Sequence, residues 1–149
     1  LYMNSIKKND LQFGFNSEEK IHTHLESCFG SLTDTREEYG NYYEFDKYND
    51  DCFIEIKTRR IRHNQYRSLM FGENKSIKAD ELKRTNPNLR IFFIWVCTDG
   101  TYYWEHGSTE HTVEFSGRTD RGCDERNACC HIKTSDLKEL TESIDFMRK

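Results

Sequence analysis

The fold is decided by residues 43–58, which read YEFDKYNDDCFIEIKT. Aromatic and β-branched residues on either side of Asp50 and Asp51 predict two strands joined by a tight turn. We therefore expect a β-hairpin whose strands cover residues 41–48 and 52–58. The length of the turn sets the register of such a hairpin, so the turn also determines which side chains lie opposite each other.

One face of this hairpin carries an unusual set of charges. A two-residue turn places Asp46 opposite Glu55 and Glu44 opposite Lys57. Residues two apart on a strand share a face, and side chains directly across a hairpin lie about 5 Å apart. Carboxylates crowded in this way repel each other unless a cation lies between them, and a hard divalent cation suits oxygen ligands best. The hairpin therefore predicts a metal site.

Lys57 adds a positive charge beside these carboxylates. Phosphodiester hydrolysis needs a deprotonated water and neutralisation of the charge that develops on the phosphate oxygens. Carboxylate-bound Mg²⁺ or Mn²⁺ would meet both needs, and the lysine would orient the attacking water. A cross-strand ladder of salt bridges on a solvated sheet face stays open as the alternative.

Asp46 followed by Glu55-Ile56-Lys57 resembles the core hairpin of the PD-(D/E)xK nuclease superfamily, which carries an aspartate on one strand and (D/E)xK on the next. The proline of that motif is absent, because Phe45 precedes the aspartate. The choice of Asp46 over Asp50 or Asp51 therefore rests on the hairpin register.

A preceding helix strengthens the resemblance. In that superfamily an N-terminal helix often contributes a further glutamate, and Gly14, Glu18, Ile21 and Leu25 follow the same pattern. Apolar residues at helical spacing predict a helix over residues 17–29, with Glu18 facing inward. A glutamate favoured at a helix start by the helix dipole is the alternative.

The resemblance implies a restriction-endonuclease-like α/β domain, with a mixed β-sheet flanked by helices. It implies hydrolysis of DNA that leaves a 5′-phosphate and a 3′-hydroxyl. Asp46 and Glu55 would hold Mg²⁺ or Mn²⁺ with the backbone carbonyl of Ile56, Glu18 would complete the shell, and Lys57 would position the nucleophile. A ribonuclease on the same scaffold and a non-catalytic nucleic-acid-binding module stay open.

Charge is distributed unevenly although the net charge is only −4. Eight carboxylates lie between Asp34 and Glu55, whereas residues 57–67, here called the basic strip, contain no acid. Such a change of sign is expected where cations lie beside a bound polyanion, although a solubilising surface is the alternative. The predicted nucleic-acid contacts are Arg59, Arg60, Arg62, Tyr66, Arg67, Asn74, Lys75 and Lys78.

The remaining chain indicates a single domain over residues 1–149, with a core at about 14–104. Residues 91–97 are apolar on both faces and predict a central strand. A lysine-rich helix is expected from Ser76 to Thr85. A strand and a final helix are expected within about 128–148, the helix having Leu137, Leu140, Ile144 and Met147 on one face.

Composition excludes several classes of protein. An aromatic fraction of 13% argues against disorder, and no run approaches the roughly 18 apolar residues of a membrane span. The first residues lack the layout of a signal peptide. Six cysteines without a CxxC pair favour free thiols. We therefore expect an intracellular protein of the cytoplasm or nucleus, similar to small nucleases of large DNA viruses and phages, with a homodimer open as its oligomeric state.

Overall fold

The computed structural model describes residues 18–115 and 128–146, and these fall into two compact units. Residues 18–32 and 142–146 belong to the first unit, and the others, within Thr33–Thr141, belong to the second. Among the described residues, no helix has the length and apolar character that crossing a membrane requires.

The first unit is built on helix α1, which covers residues 18–29. Its apolar residues recur at helical spacing, and Leu25 and Cys28 are buried. Gly30 ends the helix in a left-handed conformation, with φ of 85°. The backbone N–H of Ile144 donates to the carbonyl of Cys28 at 2.8 Å, which ties the later segment of this unit to the helix. The predicted helix is confirmed over its described part.

A mixed six-stranded sheet organises the second unit, in the order β1-β2-β3-β5-β6-β9. Its strands are β1 (Thr33–Asp34), β2 (Lys47–Tyr48), β3 (Cys52–Thr58), β5 (Arg90–Cys97), β6 (Gly100–Glu105) and β9 (Lys138–Glu139). Strands β3 and β5 are parallel, and the other neighbours are antiparallel. The predicted mixed sheet is therefore confirmed, and the apolar run is its central strand β5.

A second sheet of three antiparallel strands has the order β4-β8-β7. It contains β4 (Ser68–Gly72), β7 (Thr112–Phe115) and β8 (Ala128–Lys133). A strand near β8 was expected from the sequence, whereas β4 was not. Strand β4 has five residues, too few to establish an alternating pattern by themselves.

Aromatic packing joins the two sheets in one core. Phe71 of β4 stacks on Phe93 of β5 with ring centroids 3.7 Å apart, and both side chains are buried. Trp95 and Trp104 are buried in the same cluster. Burying a large apolar side chain contributes about 1.5–3 kcal/mol to stability, so this cluster holds β5 firmly.

Two helices flank the sheets of this unit. Helix α2 (Thr35–Tyr39) is capped by the Asp34 carboxylate, which accepts from the backbone N–H of Arg36 at 2.9 Å. Helix α3 (Glu73–Thr85) begins three residues before the predicted cap, and Ser76 is a buried residue within it. Its predicted end at Thr85 is confirmed.

The helix predicted after β8 is wrong. A 3₁₀ turn (Thr134–Asp136) leads instead into β9, which pairs with β6. The backbone N–H of Leu140 donates to the carbonyl of Thr101 at 2.8 Å, and the Leu140 side chain is buried. Pairing with an open sheet edge thus outweighs helical spacing, since that edge supplies backbone partners. Met147 lies outside the described residues.

The cysteines are mostly buried thiols. Cys28, Cys52, Cys97 and Cys130 are free, as expected from the absence of a CxxC pair. Cys129 is disulfide-bonded, so the prediction of free thiols does not hold there.

Candidate active site

The hairpin formed by β2 and β3 has the predicted register where these strands pair. Tyr48 of β2 pairs with Phe53 of β3, and Lys47 pairs with Ile54, as a two-residue turn requires. Regular pairing is shorter than expected, because β2 begins at Lys47 rather than near residue 41. The chain therefore leaves the ladder at Asp46.

Asp46 is held through both its backbone and its side chain. Its backbone N–H still donates to the carbonyl of Ile54 at 2.9 Å, but its own carbonyl accepts from the N–H of Thr35 at 3.0 Å. The N–H of Ile56 donates instead to Oδ2 of the Asp46 carboxylate, at 2.8 Å. This bond fixes an exposed carboxylate against the edge of β3. Its Oδ1 accepts no hydrogen bond from the described residues and is available to a ligand.

Glu55 is a buried acid, only 3% exposed. Its position in β3 pairs with Phe93 of β5, which places its carboxylate on the face that carries the aromatic core. An ionised carboxylate at such a depth requires a compensating charge. Lys75 of α3 supplies one through an ion pair between its Nζ and Oε2 of Glu55.

Lys57 lies on the same face of β3, beside the buried Trp95 of β5. Burial lowers the pKa of Lys57 from its usual 10.5 to about 8, and Arg59 lowers it further, while Asp46 opposes the shift. Desolvation thus weakens the ammonium form of this lysine. The charge of Asp46 favours the ammonium form.

Lys75 faces the acidic side of the hairpin as well. Burial lowers its pKa, and the charges of Asp46 and Glu44 oppose that shift. The sequence interpretation assigned this lysine to nucleic acid, whereas the structure pairs it with Glu55. No local pattern could have revealed the pairing, because α3 and β3 are brought together by tertiary packing.

The basic strip is anchored to the end of β5. The backbone N–H of Arg59 donates to the carbonyl of Val96 at 2.8 Å, and that of Thr98 donates to Ile61 at 2.9 Å. Parallel pairing therefore continues beyond the end of β3. This keeps the first half of the strip close to the sheet.

A histidine secures the strip at its middle. His63 donates its backbone N–H to Asp99 Oδ1 at 2.9 Å, and its Nδ1 lies 2.6 Å from Oδ2 of the same carboxylate. Its ring stacks on Tyr102 with centroids 3.9 Å apart. Both partners belong to the β5–β6 hairpin region, so the loop is held in one conformation.

The predicted nucleic-acid contacts differ in their surroundings. Arg60, Arg62, Tyr66, Arg67 and Asn74 are exposed, and Arg59 is half-buried with its guanidinium donating to the Thr58 carbonyl at 2.9 Å. The ammonium of Lys78 lies 5.4 Å from the ring centroid of Tyr43 and 3.8 Å from a Glu81 carboxylate oxygen. The exposed arginines of the strip are therefore the members best placed to contact a ligand.

The donor set fits a magnesium-like ion. Mg²⁺ commonly binds through one or two carboxylates and keeps several waters. Asp46 and Glu55 provide two carboxylates, and the backbone N–H of Ile56, the residue after Glu55, donates to the carboxylate of Asp46. Within residues 18–115 and 128–146, no group of three or more His, Cys, Asp or Glu side chains is arranged to hold a metal.

Glu18 is exposed rather than facing inward as its helical position predicted. It belongs to the first compact unit, whereas Asp46 and Glu55 belong to the second. Its participation in the metal site stays a prediction.

Comparison with known proteins identifies a family. A protein-family model described as "Phage putative PDDEXK endonuclease" matches residues 11–140, which include the hairpin, the basic strip and α3. No curated protein and no solved structure matches the chain.

Proposed function

This chain belongs to the phage PDDEXK endonuclease family, and we propose that it is a DNA endonuclease that depends on Mg²⁺ or Mn²⁺. Membership confirms the predicted superfamily and, together with the mixed α/β architecture, its restriction-endonuclease-like fold. The observation that carries the proposal is the carboxylate of Asp46, which is held by the backbone N–H of Ile56, the residue between buried Glu55 and Lys57 in the chain.

Each residue of this site has a distinct role in the proposed reaction. Asp46 and Glu55 would hold the ion, with the carbonyl of Ile56. A divalent cation bound there neutralises charge on the phosphate and lowers the pKa of a bound water. Lys57 would orient the attacking water and stabilise its hydroxide form. The hydrogen bond from Ile56 preorganises Asp46, so little reorganisation is needed when substrate arrives.

The basic strip would hold the substrate backbone. Arginine side chains grip phosphates, and phosphate contacts fix position without reading sequence. Arg60, Arg62 and Arg67 are exposed on a loop that is anchored through Arg59 and His63. Resemblance to small nucleases of large DNA viruses and phages favours DNA over RNA and implies products with a 5′-phosphate and a 3′-hydroxyl. Buried free thiols such as Cys52 support action inside the cell, whereas the disulfide at Cys129 is typical of an oxidising compartment.

The test compares cleavage of matched labelled DNA and RNA, each single-stranded and duplex, with Mg²⁺, Mn²⁺ or EDTA. We expect metal-dependent cleavage of DNA. Asp46→Asn should abolish it and also abolish the rise in melting temperature that Mn²⁺ produces, because a ligand of the folded state stabilises that state. Asp50→Asn makes the same chemical change at an exposed turn residue and should leave both intact.

Three results would contradict the proposal in different ways. Preferential cleavage of RNA would identify a ribonuclease on the same scaffold. Binding of nucleic acid without cleavage under any metal condition would identify a binding module. Cleavage and a metal-induced melting shift that both persist in Asp46→Asn would place the metal site elsewhere.

A further inference from the structure

Glu55 and Lys75 form an ion pair that the proposed reaction does not itself require. Glu55 lies in β3 with its side chain only 4% exposed, and Lys75 reaches it from the first turn of α3 with its side chain 22% exposed. Removing the partner of a buried charge is strongly destabilising, because the remaining charge is left without compensation. Lys75 therefore balances Glu55 in the metal-free protein.

The Glu55 carboxylate cannot bind an ammonium and a divalent cation equally well at the same time. The ammonium of Lys75 contacts Oε2 of Glu55, and a divalent cation that uses this carboxylate would carry the same sign of charge. Two positive charges at one carboxylate repel each other, most strongly where water is largely excluded. The ion and the lysine are therefore expected to compete for Glu55.

The hairpin offers a second partner for a displaced ammonium. Lys75 interacts electrostatically with Glu44 and Asp46, which lie on the acidic side of the hairpin. Glu44 is half-buried and is not among the proposed metal ligands. It can therefore receive the lysine while Asp46 and Glu55 bind the ion.

We propose that Lys75 is a positioning residue that occupies Glu55 in the metal-free protein and is displaced towards Glu44 when a divalent cation binds. This inference rests on the proposed function, since it assumes that Glu55 is a metal ligand. It assigns to Lys75 a role distinct from that of Lys57, which lies in β3 itself and is not paired with Glu55 in the described contacts.

Calorimetric titration with Mn²⁺ and Mg²⁺ tests the competition. Lys75→Met removes the competing charge, so we expect both ions to bind more tightly than in the parent protein. Lys138→Met is the matched control, because it makes the same substitution at an exposed position of β9, at the other edge of the sheet, and its affinity should be unchanged. A lysine that merely orients Glu55 for the ion predicts the opposite sign, a loss of affinity of about 10–100-fold.

A second measurement uses the unmodified protein and so does not depend on the folding of a variant. Lysine acylation, read by peptide mass spectrometry, should increase at Lys75 when Mn²⁺ is added, since the ammonium leaves its buried pair. Labelling of Lys78 should not change, and Asp46→Asn should show no increase at Lys75.

The outcomes separate this inference from the proposed function. If the parent binds neither ion, the metal-dependent function and the role of Lys75 both fail. If the parent binds an ion while Lys75→Met binds it equally or more weakly, the competition alone is refuted. Unchanged labelling of Lys75 in the metal-bound parent refutes it as well.

Discussion

At the scale of single residues, the environment of Lys57 separates catalysis from structure. Lys57 of β3 pairs with buried Trp95 of β5, and the charge of Asp46 favours the ammonium form of this lysine. A salt-bridge ladder would use this lysine for stability, whereas a nuclease would use it mainly in the transition state. The two roles predict different losses when the side chain is removed.

The first prediction concerns turnover by a Lys57 variant. Lys57→Ala should bind metal and DNA nearly as well as the parent but cleave at least about a hundredfold more slowly, because oriented electrostatic groups typically contribute about 10²–10³ in rate. Lys57→Arg should not restore the rate, since a planar guanidinium differs in shape and hydration from a compact ammonium. Single-turnover cleavage measured beside a melting curve distinguishes the roles. A variant that melts normally and cleaves at parental speed would remove Lys57 from the mechanism.

The second prediction concerns stability against pH in the absence of metal. Burial lowers the pKa of Lys57 to about 8 in the folded protein, from its usual 10.5. Between these values the unfolded chain binds more protons than the folded one, so stability should rise as the pH rises from about 8 towards 10.5. Lys57→Met has no ammonium at this position, so its stability lacks this dependence on pH. In denaturant unfolding measured in EDTA, the free energy of unfolding of the parent should therefore rise relative to that of the variant across that range. Below about pH 8 the difference between the two free energies should stay constant.

At the scale of elements, the basic strip combines anchored and exposed arginines. Arg59 is half-buried and its backbone extends the pairing with β5, whereas Arg60 and Arg62 are exposed. The stacking of the His63 ring on Tyr102 holds in place the loop that connects β3 to β4. Binding and folding should therefore be separable within a single segment.

The third prediction tests that separation through salt dependence. Arg60→Ala and Arg62→Ala should each weaken binding to all DNA sequences alike and reduce the slope of log affinity against log salt by about one unit, because each removes one phosphate contact. Arg59→Ala should instead lower the melting temperature. Arg84→Ala, at an exposed position near the end of α3, is the control and should change neither. Unchanged slopes in the Arg60 and Arg62 variants would assign the strip to solubility.

At the scale of the whole molecule, the sequence predicted the features that depend on residues close together in the chain. The register of the first hairpin follows from a two-residue turn, and the central strand follows from an apolar run, so both were predictable. Strand β9 was not, since its pairing depends on an edge of β6 that lies far away in the sequence. The ion pair between Lys75 and Glu55 was not predictable either, because tertiary packing brings α3 and β3 together. Long-range packing therefore determined the features that the sequence interpretation missed.

Thr35 has a consequence for how relatives of this protein should be recognised. This buried residue takes up the carbonyl of Asp46 with its N–H and its hydroxyl, and the hydroxyl also donates to the carbonyl of Phe45. The Ile56 N–H in turn holds the Asp46 carboxylate. A homologue that retains the aspartate and the ExK triplet but has lost this hydroxyl would still match the motif. It would lack the hydroxyl hydrogen bonds that hold the backbone at its aspartate. Surveys of phage genomes for active members should therefore score the threonine together with the motif, eleven residues upstream of the aspartate.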